Sequence, residues 1–74
     1  MPKLPVISGK DTVKTFMKAG WYVARTRGSH VVMLKKGHIA SLSIPQHKEV
    51  APGTLRSLIR AAGMTIDEFI SLAQ

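Results

Sequence analysis

Hydrophobic and polar residues follow two different rhythms along the 74-residue chain. Between Ser8 and Gly20 the rhythm is helical. Val13, Phe16 and Met17 recur at spacings of three and four, and Lys10, Lys14 and Lys18 fall four apart as an outer stripe. Ser8 stands where a helix is capped, Asp11 three residues on makes a weaker form of the capping box, and Gly20 closes the helix as a left-handed residue. From Trp21 to Arg27 the stripe gives way to strand formers. Gly28-Ser29 can turn the chain, and His30 to Lys35 reads as a second strand. Lys36-Gly37 is a second turn, followed by a third strand from His38 to Ile44 that Pro45 closes. Residues 46–51 form a polar loop, and Pro52 suits the first position of a helix whose apolar face is Leu55, Leu58, Ile59 and Ala62, ended by Gly63. Thr65-Ile66-Asp67-Glu68 is a full capping box, with Met64 and Phe69 placed as a hydrophobic staple. A short last helix then turns Phe69, Ile70 and Leu72 inward.

The predicted order is α-β-β-β-α-α, an α+β fold. An antiparallel meander with helices before and after it buries one sheet face and leaves the other open. Two-residue turns at Gly28-Ser29 and Lys36-Gly37 pair Arg27 with His30, Arg25 with Val32, Leu34 with Ile39, Val32 with Ser41 and His30 with Ser43. Ala24, Thr26, Val31, Met33, Ala40, Leu42 and Ile44 then share the core face. Arg25, Arg27, His30, Val32, Ser41 and Ser43 share the open one; a bulge at Gly28 would break this register.

Charge sharpens this picture. The chain carries +7, with nine of its eleven basic side chains and one of its four acids within residues 1–48. A basic half of this kind suits a polyanion such as nucleic acid, a membrane surface or an acidic protein partner. With no cysteine, disulfides and thiolate metal sites are excluded. Residues 1–5 (Met-Pro-Lys-Leu-Pro) lack the apolar run of a signal peptide, and no stretch approaches the about 18 apolar residues of a membrane span. The expectation is one domain over residues 1–74, soluble and cytoplasmic, with any chemistry on an open surface or shallow cleft.

His30 is the first candidate for that chemistry. Imidazole exchanges protons near neutral pH, and RNA carries its own nucleophile in the 2′-hydroxyl. One base to remove that proton, with cations to hold the phosphoryl charge, makes a minimal ribonuclease. The same residue types also fit a plain surface histidine. Arg25, Arg27, Ser29, Lys35, Lys36 and Lys48 are the candidate RNA contacts, and Ser29 doubles as a turn former. His38 follows a turn, at a strand end; His47 lies beside Lys48 in the polar loop. Three histidines without carboxylates at ligand spacing point to no metal, and nothing calls for a cofactor. Trp21 can stack a base or serve the core.

The blocks Ala19-Gly20-Trp21, Arg27-Gly28-Ser29-His30, Ile44-Pro45 and Pro52-Gly53-Thr54-Leu55-Arg56-Ser57-Leu58-Ile59-Arg60-Ala61-Ala62-Gly63 resemble the HicA (YcfA-like) mRNA interferase toxins, over about residues 8 to 70. The resemblance implies a fold like the double-stranded-RNA-binding domain, with a three-stranded antiparallel sheet and helices packed on one face. It implies metal-independent cleavage of mRNA, a catalytic histidine at His30, growth arrest, and a HicB-type antitoxin that blocks the active surface. The family often has a second histidine directly after the first; Val31 stands there in this chain. The acid that protonates the leaving 5′-oxygen is therefore open between Lys35, His47 and water. A non-catalytic RNA-binding module on the same fold is the rival reading, and a basic face that docks an acidic protein is a third.

Overall fold

The computed structural model describes residues 3–74; Met1 and Pro2, the start of the N-terminal stretch read above, lie outside the described residues. Six elements follow in the expected order: α1 (Gly9–Lys18), β1 (Tyr22–Arg27), β2 (His30–Leu34), β3 (Leu42–Pro45), α2 (Pro52–Ala61) and α3 (Ile66–Ala73). The strands form one antiparallel sheet in the order β1-β2-β3. No helix of the described residues is long and apolar enough to cross a membrane.

The helix ends are set by local chemistry. Ser8 Oγ accepts the Asp11 N–H at 3.1 Å and opens α1, while Gly20 takes a φ of 97° beyond its end. At α3 the capping box is closed both ways, with Thr65 N–H donating to Glu68 Oε1 at 2.8 Å and Glu68 N–H donating to Thr65 Oγ1 at 3.1 Å. The buried face of α1 is rotated from the expected one. Met17 is exposed, and Thr12 and Thr15 are buried in its place. Their hydroxyls donate to the carbonyls of Ser8 and Asp11, at 2.7 and 2.8 Å, so neither brings an unsatisfied polar group into the core.

The core lies between the sheet and the helices. Phe16, Met33, Leu42, Ile44, Leu55, Ile59 and Phe69 are fully enclosed, and the Phe16 and Phe69 rings meet at 5.1 Å. Trp21 belongs to this core, edge-on to Phe16 at 6.5 Å. Leu55, Leu58, Ile59 and Ala62 are buried as the α2 pattern requires. The last helix packs on the first, and Lys18 Nζ donates to the Leu72 carbonyl at 3.0 Å.

Register agrees with expectation at the first turn and departs from it at the second. Arg27 pairs with His30 across Gly28-Ser29, where Gly28 has a φ of 58°. The bulge lies not at Gly28 but between Val23 and Arg25, leaving Ala24 as the extra residue. Between β2 and β3 the expected pairs are displaced by two residues: Val32 pairs with Ser43 and His30 with Pro45. Lys36-Gly37 does reverse the chain, with His38 N–H donating to the Lys35 carbonyl at 3.0 Å, but no strand begins at His38. The His38 imidazole instead lies against the Trp21 ring at 4.9 Å, and Ile39 is fully exposed. A two-residue slip keeps every side chain on its face, because a strand repeats every two residues. Of the expected core face, Met33, Leu42 and Ile44 are buried and Val31 packs on them half-buried. Ala24 and Thr26 are exposed, because β1 is an edge strand open along its whole length and the helices pack mainly over β3.

Candidate active site

The open face of the sheet carries a shallow depression of about 430 Å³ lined by Arg25, Arg27, His30, Val32, Ser41 and Ser43. These are the six residues that strict alternation along the strands puts on that face. β1 supplies the two arginines, the central strand β2 supplies His30 and Val32, and Ser43 comes from β3. Val32 is the floor: at 7% exposure it is shielded by its longer neighbours although it faces away from the main core. The rim is polar and no carboxylate lines it.

His30 is exposed at the first position of β2, between Arg27 on one neighbouring strand and Pro45 on the other. Ser29 Oγ stands 3.5 Å from His30 Nδ1, the outer limit of a hydrogen bond. Ser29 also fixes the strand end, since its carbonyl accepts the Gln46 N–H at 2.7 Å. That bond ties the segment after β3, which carries the exposed His47 and Lys48, to the residue before His30.

The other candidate cations lie elsewhere. Lys35 is half-buried, with its stem over Gly20, and lines a separate depression with Ala19, Ala62, Gly63, Met64, Asp67, Glu68, Ser71 and Leu72. Lys36 is exposed in the turn beyond the far end of β2 from His30. Lys10, Lys14 and Lys18 are exposed on α1, away from the depression. Among the described residues no three His, Cys, Asp or Glu side chains gather so as to hold a metal ion.

One residue of the open face escapes a simple reading of alternation. Counting by twos from Arg25 and Arg27 puts Tyr22 on the core side with Ala24 and Thr26. The extra residue at Ala24 reverses that: Tyr22 pairs with Leu34, which shares the face of Val32 and His30. Ala24 gives no sign of a bulge in the sequence, where glycine is the usual marker.

A basic α+β chain with helices on one side of its sheet, and a histidine beside two arginines on the other, defines a class of proteins with one open cationic face. Within that class, this chain belongs to the HicA toxin family of bacterial toxin–antitoxin systems, whose family model matches residues 9–64. Among solved structures it is similar to a chain of a toxin–antitoxin complex from Streptococcus pneumoniae, with 32% identity and a TM-score of 0.69 over 78% of this chain and 98% of that one. Comparison with curated proteins gave no match.

Proposed function

We propose that this toxin is a metal-independent endoribonuclease that cuts mRNA in the cytoplasm, acts as one domain, and is held inactive by a HicB-type antitoxin. The observation that carries the reading is the exposed His30 imidazole in a depression that it shares with the cationic side chains of Arg25 and Arg27. His30 takes the proton of a ribose 2′-hydroxyl, and the freed oxygen attacks the adjacent phosphorus. Arg25 and Arg27 hold the charge that builds on the phosphoryl oxygens. The bond from phosphorus to the 5′-oxygen breaks, and that oxygen leaves as a hydroxyl with a proton from an acid. Lys35, which lines a separate depression, His47, in the segment tied to Ser29, and water are the candidates for that acid. An acidic face of the antitoxin laid over the depression would exclude RNA without altering the fold.

The end groups of the products test this chemistry. Cleavage should persist in EDTA and leave a 2′,3′-cyclic phosphate or 3′-phosphate on one fragment and a 5′-hydroxyl on the other. A 5′-phosphate, or loss of cutting on chelation, would instead mean a metal-activated water.

Binding offers a second test. Each Lys or Arg that contacts a phosphate releases counterions, so affinity falls with salt in proportion to the contacts made. In an inactive His30→Ala background, Arg27→Ala is expected to weaken RNA binding and flatten the salt slope by about one unit. Lys14→Ala on α1 should do less. Titrations at several salt concentrations compare the three proteins; an unchanged slope for Arg27→Ala moves the basic footprint to the α1 stripe.

A further inference from the structure

We infer that Tyr22 is a stacking platform for one base of the RNA strand that crosses His30, and so helps decide where the strand is cut. The inference rests on the ribonuclease reading above. Trp21 and Tyr22 are adjacent, yet Trp21 is 2% exposed and Tyr22 is 52% exposed. Trp21 is consumed by the core; Tyr22 is not. The bulge at Ala24 turns Tyr22 onto the face that holds Arg25, Arg27 and His30, opposite the half-buried Leu34. Bulges next to active sites commonly re-aim a side chain in this way.

The placement suits a single strand of RNA. Leu34 lies four residues along β2 from His30, roughly 13 Å at a strand's rise of about 3.3 Å per residue. A base against Tyr22 would therefore sit a few nucleotides from the scissile phosphate. Arg25, opposite Val32, lies between the two levels and Arg27 lies level with His30, so both can take phosphates along that path. Cationic track beside exposed aromatic is the common arrangement for binding single strands, and stacking tolerates any base because every base has a π face. Charge favours RNA as the occupant over an apolar protein segment, since Tyr22 shares its face of the sheet with Arg25 and Arg27, and no carboxylate lines the depression those arginines form.

The test uses a single-stranded oligoribonucleotide spanning a cut site mapped with the wild-type protein. Binding is measured to His30→Ala and to the same protein carrying Tyr22→Val or Tyr22→Phe. Valine keeps the strand's preference for β-branched residues but removes the ring. Tyr22→Val is expected to weaken binding by about tenfold or more, within the about 1–3 kcal/mol of one base–aromatic stack, and Tyr22→Phe to keep the parent affinity. An abasic nucleotide is then moved along the oligonucleotide. One position, a few nucleotides to one side of the cut, should cost the Tyr22 protein a similar factor and cost the Tyr22→Val protein little, because the two changes delete the same contact. Parental affinity in Tyr22→Val overturns the inference and leaves the ring to a protein contact. So do abasic effects that simply add to the substitution. If the wild-type protein cuts RNA in either case, the ribonuclease reading survives; if it neither cuts nor binds, both fall together.

Discussion

Replacing His30 by alanine is expected to slow RNA cleavage by about 10²- to 10⁴-fold, the usual contribution of a positioned general base, and to abolish growth arrest. The fold should not change. His30 is exposed, its one side-chain hydrogen bond is the long contact to Ser29, and it fills no part of the core. A surface substitution of this kind costs within about 0.5 kcal/mol. The effect on rate and the absence of an effect on stability must be read from one preparation, by cleavage assay and circular dichroism together. A folded His30→Ala protein with wild-type activity would remove the base from the mechanism and return His30 to a plain surface residue. Loss of activity with loss of fold would mean that the residue has been misread as solvent-facing.

The open face was legible in the sequence because its two determinants are local. Gly28-Ser29 fixes the Arg27–His30 pair, and alternation from that pair selects Arg25 and Val32. The serines were found for a weaker reason: β3 is displaced by two residues from the expected register, and an even slip does not change faces. A slip of one would have buried Ser41 and Ser43. The displacement accompanies a tertiary contact, His38 against Trp21, between residues 17 positions apart in the chain, and no local rhythm reports it. The helix caps at Ser8 and Thr65 were legible for the same local reason as the first turn. Met17 and the two threonines of α1 were not. Apolar periodicity counts threonine as polar, whereas a threonine that returns its hydroxyl to its own helix buries without penalty for an unmet bond. The bulge at Ala24 had no signal at all, and with it the position of Tyr22 was hidden.

Gly9 is the position where stability should respond most to a single methyl group. The sequence does not distinguish it from Gly53, since each lies in the first turn of a helix. The structure does. Gly9 is buried, and its N–H donates to the His47 carbonyl at 2.9 Å while Val50 N–H donates to the Ile7 carbonyl at 2.8 Å. These two bonds zip the entry to α1 onto the segment that leaves β3 and carries His47 and Lys48. A Cβ on Gly9 would land on the Pro45 carbonyl oxygen and come within 2.8 Å of Gln46 Cα. Both are backbone atoms, so no side chain can rotate away and one segment must move. Gly9→Ala is therefore expected at the upper end of overpacking, about 3 kcal/mol, with the Gly9–His47 bond strained or lost. Small domains hold roughly 0.05–0.15 kcal/mol per residue, so this is a large share of what a chain of this length has. The melting temperature should fall by more than about 10 °C. Gly53→Ala supplies the contrast: nothing lies within 4 Å of its added Cβ, and removing glycine from a helix should stabilise by about 0.5–1 kcal/mol. Thermal and urea denaturation of the two variants beside the parent decide it. A Gly9→Ala protein as stable as the parent would mean that the 45–50 segment yields freely, and that the backbone pairing seen there holds neither the helix entry nor the loop beside His30 in place.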